Sequence, residues 1–235
     1  MTASSRLELA KSMTTQLRRR EGHNLLAVGL YGSVSRGEDR AHSDIDLVLV
    51  FRSKRKRQQM LMRNGVLVSL LQVTLEEAAD EVRGYGWNLP EALSGWRSVQ
   101  ALYDPHGLLR RLRDRSWRPS ARQFREAARR GFFGTYEDYG KLLNALEAGD
   151  PEEAREMAVW FTEGAAMILL CLEQHVVLTG RRVFAELPKG GSGNALRRLR
   201  YETLSVDETT RLARSVWASL LRRARAQGIA LPEMP

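Results

Sequence analysis

The stretch LYGSVSRGEDRAHSDIDLVLVF, residues 30–51, constrains the fold of this chain more than any other part of the sequence. An apolar run over 25–31 closes at Gly32 and Ser33, and a second apolar run covers 45–51. Short apolar runs bounded by Gly and polar residues are typical of buried β-strands. The segment therefore predicts two strands joined by a polar connection that starts with a turn of helix.

The start of that connection has the residues of a phosphate-binding turn. Gly32 allows the backbone to approach a ligand closely, and backbone amides at the start of a helical turn point towards phosphate oxygens. Ser33 adds a hydroxyl donor, and Arg36 adds a fixed positive charge. The pattern predicts that Gly32, Ser33 and Arg36 bind the phosphates of a nucleotide.

Two carboxylates mark the entry to the second strand. Side chains alternate along a strand, so Asp44 and Asp46 point to one face, with Cα atoms about 6.6 Å apart. At a separation of 4 Å and an effective dielectric of 20 the two charges would repel by roughly 4 kcal/mol. Mg²⁺ prefers oxygen ligands and can bridge such a pair to a nucleoside triphosphate. The other reading is that Ser43 and Asp44 cap a turn, with Asp46 on an exposed face.

Sulfur and imidazole chemistry have little support in this sequence. Cys171 is the only cysteine and lies in an apolar run, which excludes intramolecular disulfides and thiolate clusters and is typical of a core residue. The four histidines show neither HxxxH nor HxH spacing. Any bound metal is therefore expected to have oxygen ligands.

The hydrophobic pattern changes near residue 118 and predicts an α+β chain. We expect an N-terminal domain over 1–118, with a small mixed sheet and flanking helices, followed by a helical bundle domain over 119–235. The basic run 52–57 is expected to form a solvated hairpin loop, with nucleic-acid contact as the alternative. Residues 84–95 are expected to be rich in loops. The remaining predicted strands lie at 66–73 and 98–103, and the helices at 4–20, 74–82, 105–113, 120–148, 151–179, 193–203 and 205–227.

The sequence Gly-Ser, ten residues and Asp-x-Asp, bracketed by two apolar strands, resembles the active-site signature of the polymerase-β-like nucleotidyltransferase superfamily. Its members use magnesium to transfer a nucleoside monophosphate from a triphosphate to a hydroxyl. The resemblance implies that Asp44 and Asp46 are catalytic and bind Mg²⁺. It also implies that Gly32, Ser33 and Arg36 bind ATP or another nucleoside triphosphate.

A weaker resemblance extends into the helical half. The sequence YEDYGK at 136–141, followed by Asn144, is similar to the segment of kanamycin (aminoglycoside 4') nucleotidyltransferases that supplies a general base and a triphosphate-binding lysine. It implies that Glu137 is the base and that Lys141 binds the nucleotide, in a homodimer whose sites are completed across the interface. Without the resemblance, Glu137 and Lys141 at i and i+4 indicate an ordinary surface ion pair.

One departure from the superfamily pattern concerns the strand after Asp-x-Asp. Members often place a third carboxylate there, but the matching position is Ser69, and no acidic residue occurs between 51 and 75. Three alternatives remain. In the first, which we favour, two carboxylates together with phosphate and water complete the coordination of the metal. In the second, Glu76 or Glu77 is an additional metal ligand. In the third, the enzyme is weak or inactive.

These patterns together predict a Mg²⁺-dependent nucleotidyltransferase that moves AMP from ATP to a hydroxyl of a small molecule. The resemblance makes an aminoglycoside-like acceptor, as in antibiotic resistance, the leading choice. The net charge of +9 suits polyanionic partners without choosing among them, so a protein or an RNA acceptor stays open, with nucleic acid not favoured. A non-catalytic, antitoxin-like binding module is the third alternative. No apolar run is long enough for a membrane span and no signal peptide is visible, so we expect a cytoplasmic protein.

Overall fold

The structure is a computed structural model that describes residues 3–53 and 58–231. The chain divides into two compact units. The first comprises residues up to 84 together with 92–119, and the second comprises 85–91 together with the residues from 120 onwards. The predicted α+β class is confirmed: the chain contains a five-stranded mixed sheet, flanking helices and a C-terminal helical region.

The sheet of the first unit has the order β3-β4-β2-β1-β5. Strand β2 is antiparallel to β1 and parallel to β4, while β5 pairs antiparallel with β1 and β3 with β4. The strands are β1 (Leu25–Tyr31), β2 (Ile45–Phe51), β3 (Gln58–Arg63), β4 (Val66–Thr74) and β5 (Gln100–Tyr103). The predicted helical turn after β1 is confirmed as α2 (Gly32–Ser35).

Helices cover both faces of this sheet, which explains why β2 is apolar without alternation. On one face Leu47 and Leu49 pack with residues of helix α1 (Ala3–Glu21). On the other face Val48 and Val50 pack with residues of helices α3 (Leu75–Arg83) and α5 (Leu108–Ser116). The predicted capping box at the start of α3 is confirmed, with reciprocal bonds between Thr74 and Glu77.

Three sequence predictions were wrong in detail. Strand β3 was missed because its sequence, QQMLMR, is largely exposed and has no apolar run. The region 84–95 was expected to be rich in loops, but most of it belongs to helix α4 (Leu89–Arg97). The helix expected over 151–179 ends at Leu172, because Gln174 adopts a positive φ of 52° and the next amide turns back to Leu170. The hairpin loop expected at 52–57 lies mostly in 54–57, outside the described residues.

The second unit is built around two long antiparallel helices, α6 (Ala121–Ala148) and α7 (Pro151–Leu172). A capping box at Ser120 starts α6, Gly149 ends it with a φ of +69°, and Asp150 caps α7 directly ahead of Pro151. Smaller helices complete the unit: α8 (Val183–Glu186), α9 (Gly191–Tyr201) and α10 (Val206–Ala226).

Two further expectations can be compared with the structure. Cys171 is buried inside α7, and burial raises the pKa of its thiol to about 12, so the side chain behaves as a neutral core residue. None of the described helices is long and apolar enough to cross a membrane.

The contact between α6 and α7 depends on a glycine. A β-carbon added at Gly164 would lie 2.3 Å from the Oγ1 atom of the buried Thr135. We expect Gly164→Ala to lower the free energy of unfolding by about 1–2 kcal/mol, because overpacking costs more than the gain in helix propensity. Urea denaturation followed by circular dichroism measures this change.

Gly134→Ala on α6 is the matched control, since a β-carbon there meets nothing within 4 Å. This variant is expected to raise the free energy of unfolding by about 0.5–1 kcal/mol through helix propensity alone. A shift of the same sign in both variants would contradict the packing argument.

Candidate functional site

The turn between β1 and α2 brings Gly32 against the side chain of Asp46. Gly32 has a φ of +76°, which favours glycine, and a β-carbon there would lie only 2.2 Å from Asp46 Oδ2. Both the backbone conformation and the lack of space therefore require glycine at this position. Because Tyr31 pairs directly with Asp46 across β1 and β2, the sheet itself produces this close approach.

Ser33 places a hydroxyl at the same turn. Its side chain is 6% exposed, and within the described part of the chain its Oγ atom is buried without a hydrogen-bond partner. A buried polar group left unpaired costs about 1–3 kcal/mol, so native structures rarely keep one without a reason. A phosphate oxygen accepting from this hydroxyl would satisfy it.

The two aspartates lie at the entrance to β2, where both side chains are partly exposed. Asp46 is in register with Tyr31 on β1 and with Ser69 on β4. Burial raises the pKa of Tyr31 well above its usual range, and the carboxylates of Asp46, Glu81 and Asp44 add to the effect in that order. The surroundings of this phenol are thus negative, and oxygen-ligated Mg²⁺ would neutralise the carboxylates.

Arg36 is the third residue expected to contact the nucleotide. Its Nε atom lies 2.9 Å from Glu38 Oε2, so in the structure the guanidinium is engaged by a neighbouring acid. The arginine side chain is one-quarter exposed, whereas that of Glu38 is mostly exposed. An exposed ion pair of this kind contributes little, so phosphate oxygens can replace the glutamate at small cost.

The connection before the aspartates is fixed by Arg6, a residue whose role was not predicted from the sequence. Arg6 of α1 is 2% exposed, and its guanidinium lies 2.9 Å from Asp39 Oδ2. It also donates to the carbonyl oxygens of Ala41 and Ser43, at 2.7 and 3.1 Å. These contacts span more than 30 residues of sequence, and no local motif marks them.

The turn at Ser43 agrees in part with the alternative reading of this segment. Ser43 does close a turn, because its Oγ accepts from the amide of Arg40 at 2.8 Å and its own amide donates to Arg40 O at 2.9 Å. After the capped turn, Asp44 directly precedes the first residue of β2, and Asp46 is the second residue of that strand. It is therefore compatible with a metal-binding role for the two aspartates.

Within the described part of the chain no third carboxylate is grouped with this pair to hold a metal. Ser69 occupies the neighbouring position on β4, as the sequence indicated, and Glu77 is engaged in the cap of α3, where it accepts from Thr74 N at 2.8 Å. Glu81, which the sequence analysis did not consider, accepts from Trp96 Nε1 at 3.2 Å. Among residues 3–53 and 58–231 no three His, Cys, Asp or Glu side chains are grouped to hold a metal.

Glu137 and Lys141 lie on α6, in the second unit, whereas the aspartates belong to the first. Lys141 Nζ and Glu137 Oε1 are 2.7 Å apart, and both side chains are exposed. Their hydrogen bond lowers the pKa of Glu137 and raises that of Lys141. The contact is the one expected from i, i+4 spacing, and the catalytic roles of these two residues stay predictions.

Comparison with known proteins supports the superfamily-level resemblance. Residues 11–91 match the family model described as a nucleotidyltransferase domain, a range that contains the turn at Gly32 and both aspartates. A nucleotidyltransferase-like protein from Exiguobacterium sibiricum has a similar structure, with a TM-score of 0.59 over 92% of this chain and 75% of that one. At 11% identity the likeness concerns the fold. A search of curated sequences found no match.

Removing the arginine that anchors the 39–43 segment should be costly. In Arg6→Met the Asp39 charge stays buried without its partner, and we expect the free energy of unfolding to fall by about 3–5 kcal/mol. Urea denaturation measures the loss, and adding Asp39→Leu should restore part of it.

Lys11→Met is the matched control on the same helix, because the ion pair of Lys11 with Glu8 is solvent-exposed. Its loss is expected to cost less than about 0.5 kcal/mol. Equal effects of the Arg6 and Lys11 substitutions would contradict the anchoring role of Arg6.

Proposed function

We propose that this protein transfers a nucleoside monophosphate, AMP from ATP, to a hydroxyl of a small molecule and that it requires Mg²⁺. The observation that carries the proposal is the contact at the end of β1. There Gly32, which the side chain of Asp46 requires to be a glycine, precedes Ser33, whose buried hydroxyl has no hydrogen-bond partner among the described residues. Asp44 lies two residues before Asp46, and the carboxylates of both raise the pKa of Tyr31.

The residues present fit a magnesium–nucleotide complex. Asp44 and Asp46 offer the carboxylate oxygens that Mg²⁺ prefers, and Ser33 offers a donor for a phosphate oxygen. When bound, Mg²⁺ supplies positive charge to the phosphate oxygens. Because Gly32 has no side chain, there is room for a ligand beside Asp46. The guanidinium of Arg36 contacts a phosphate oxygen in place of Glu38 when the nucleotide binds.

The reaction is an in-line displacement at the α-phosphorus. The acceptor oxygen forms the new bond, the bond to the bridging oxygen of the β-phosphate breaks, and pyrophosphate leaves with the electron pair. The acceptor proton passes to a general base. We assign that role to Glu137, with Lys141 on a phosphate, on the resemblance of 136–144 to the kanamycin enzymes.

The same resemblance supports a homodimer and an aminoglycoside-like acceptor, while the surface beside the aspartates supports another class of acceptor. A protein or RNA hydroxyl and a non-catalytic binding role are the competing outcomes. Incubation with labelled ATP, Mg²⁺ and a panel of aminoglycosides, aromatic alcohols and tRNA distinguishes these outcomes, because the label is transferred to the molecule that is the acceptor. Absence of both label transfer and ATP-dependent thermal stabilisation would favour the binding role.

Neutralising the two aspartates should abolish transfer. We expect Asp44→Asn with Asp46→Asn to lower the rate by about 10³-fold or more, since several kcal/mol of charge stabilisation disappear with the metal. The thermal unfolding midpoint should not fall, because the substitution also removes the repulsion between the two carboxylates. Asp114→Asn, an exposed acid of the same unit, is the control. Transfer that survives the double substitution would overturn the site.

The assignment of the base has its own test. Glu137→Gln should lower kcat by roughly 10²–10⁴-fold while leaving the KM for ATP unchanged, as expected for loss of a general base. Glu147→Gln, another exposed glutamate on α6, is the control. If both variants transfer at the wild-type rate, the base lies elsewhere, and the role of the aspartates is unaffected.

A further inference from the structure

A continuous row of residues runs across four strands through Asp46. The members of the row, each in register with the next, are Tyr31 on β1, Asp46 on β2, Ser69 on β4 and Met60 on β3. Residues in register on neighbouring strands project from the same face of a sheet. Met60 therefore shares the face of the catalytic aspartates, two strands or about 10 Å away.

The same face continues along the β3–β4 hairpin as an apolar surface. Met62 is in register with Leu67, and both follow the alternation that places Met60 on this face. The exposed fractions are 60% for Met60, 59% for Met62 and 38% for Leu67. Leu61 between them points to the opposite face and packs against the core. These three exposed side chains are called the hairpin face below.

The geometry of displacement places the acceptor on this side of the aspartates. The phosphate-binding turn follows β1, on one side of β2, whereas β4 and β3 lie on the other side. In-line displacement brings the attacking oxygen in opposite the leaving pyrophosphate. With the leaving phosphates held at Ser33, the acceptor hydroxyl approaches over β4, and the rest of the acceptor lies towards β3.

The charges of this surface select against a cationic acceptor. No acidic residue occurs between 51 and 75, and the position next to Asp46 is the neutral Ser69. Gln58, which begins β3 on the same face as the methionines, is also uncharged. A polyamine finds no counter-charge along this hairpin, whereas methionine thioethers make favourable contacts with aromatic rings.

We propose that Met60, Met62 and Leu67 form the acceptor subsite and that the acceptor is a small molecule carrying its hydroxyl on an uncharged aromatic body. This inference rests on the proposed function and specifies its substrate class. Contact with the ring covers part of the methionine side chains that are otherwise in water, and removal of apolar surface from water supplies the affinity.

Methionine methyl NMR on the full chain tests binding without requiring turnover. The chain has seven methionines, and Met60→Leu and Met62→Leu each remove one signal and so assign it. Titration with 2-phenylethanol should shift the methyl signals of Met60 and Met62. The signals of the buried Met13 and Met167 should stay in place and serve as internal references.

Substitution tests the role of these residues in transfer. Met60→Ser with Met62→Ser should weaken 2-phenylethanol binding and raise its KM as acceptor by roughly 10-fold or more, with kcat and the Mg–ATP-dependent thermal shift unchanged. Leu178→Ser, an exposed apolar residue of the second unit, should change none of these quantities. A KM unaffected by the methionine substitutions would overturn the subsite.

Other outcomes identify a different occupant and would also overturn the proposal. Shifts caused by Mg²⁺ with α,β-methylene-ATP would assign the hairpin face to the nucleotide, and shifts caused by kanamycin would assign it to a polycation. Shifts that grow with protein concentration alone, together with a dimer in sedimentation, would assign it to a second copy. Failure of the proposed function appears separately, as loss of Mg–ATP stabilisation and of transfer to every acceptor.

Discussion

The antiparallel pairing of β1 with β2 is the constraint on which the candidate site depends. It brings the end of one strand to the beginning of the other, so that Gly32 and Asp46 meet although more than ten residues separate them. The space left for a side chain at Gly32 is smaller than a methyl group, which ties the conformation of the turn to the position of a carboxylate. The turn proposed to bind phosphate and the acid proposed to bind metal thereby become one structural feature.

The polar connection between these strands also needs support, because it must hold two like charges close together. Arg6 supplies it through one buried ion pair and two bonds to carbonyl oxygens. The desolvation of Arg6 and Asp39 offsets much of their attraction, so the net gain lies less in stability than in a defined path for the chain into Asp44. Helix α1 thus contributes to the site through the connection that leads into Asp44.

The sequence predicts what local chemistry determines. Strands β1 and β2, the turn at Gly32 and the cap at Thr74 follow from apolar runs and capping residues, and the ion pair of Glu137 with Lys141 follows from helical spacing. Strand β3 was missed because it is an exposed edge strand whose three apolar residues, Met60 to Met62, are too few to show the pattern of a buried strand. The anchoring role of Arg6 was missed because it depends on tertiary contacts.

The neutral residue on β4 has two consequences that act together. A carboxylate at Ser69 would place a third negative charge between Asp46 and the hairpin face, since it is in register with both Asp46 and Met60. In the proposed reaction the neutral Ser69 leaves fewer protein oxygens for the metal, so the phosphates of the nucleotide would contribute more ligands and metal binding would be coupled to nucleotide binding. The absence of a carboxylate at this position also removes a charge that would attract an ammonium group to β4. Under this proposal one neutral residue weakens the site for a free metal ion and makes the path of the acceptor apolar.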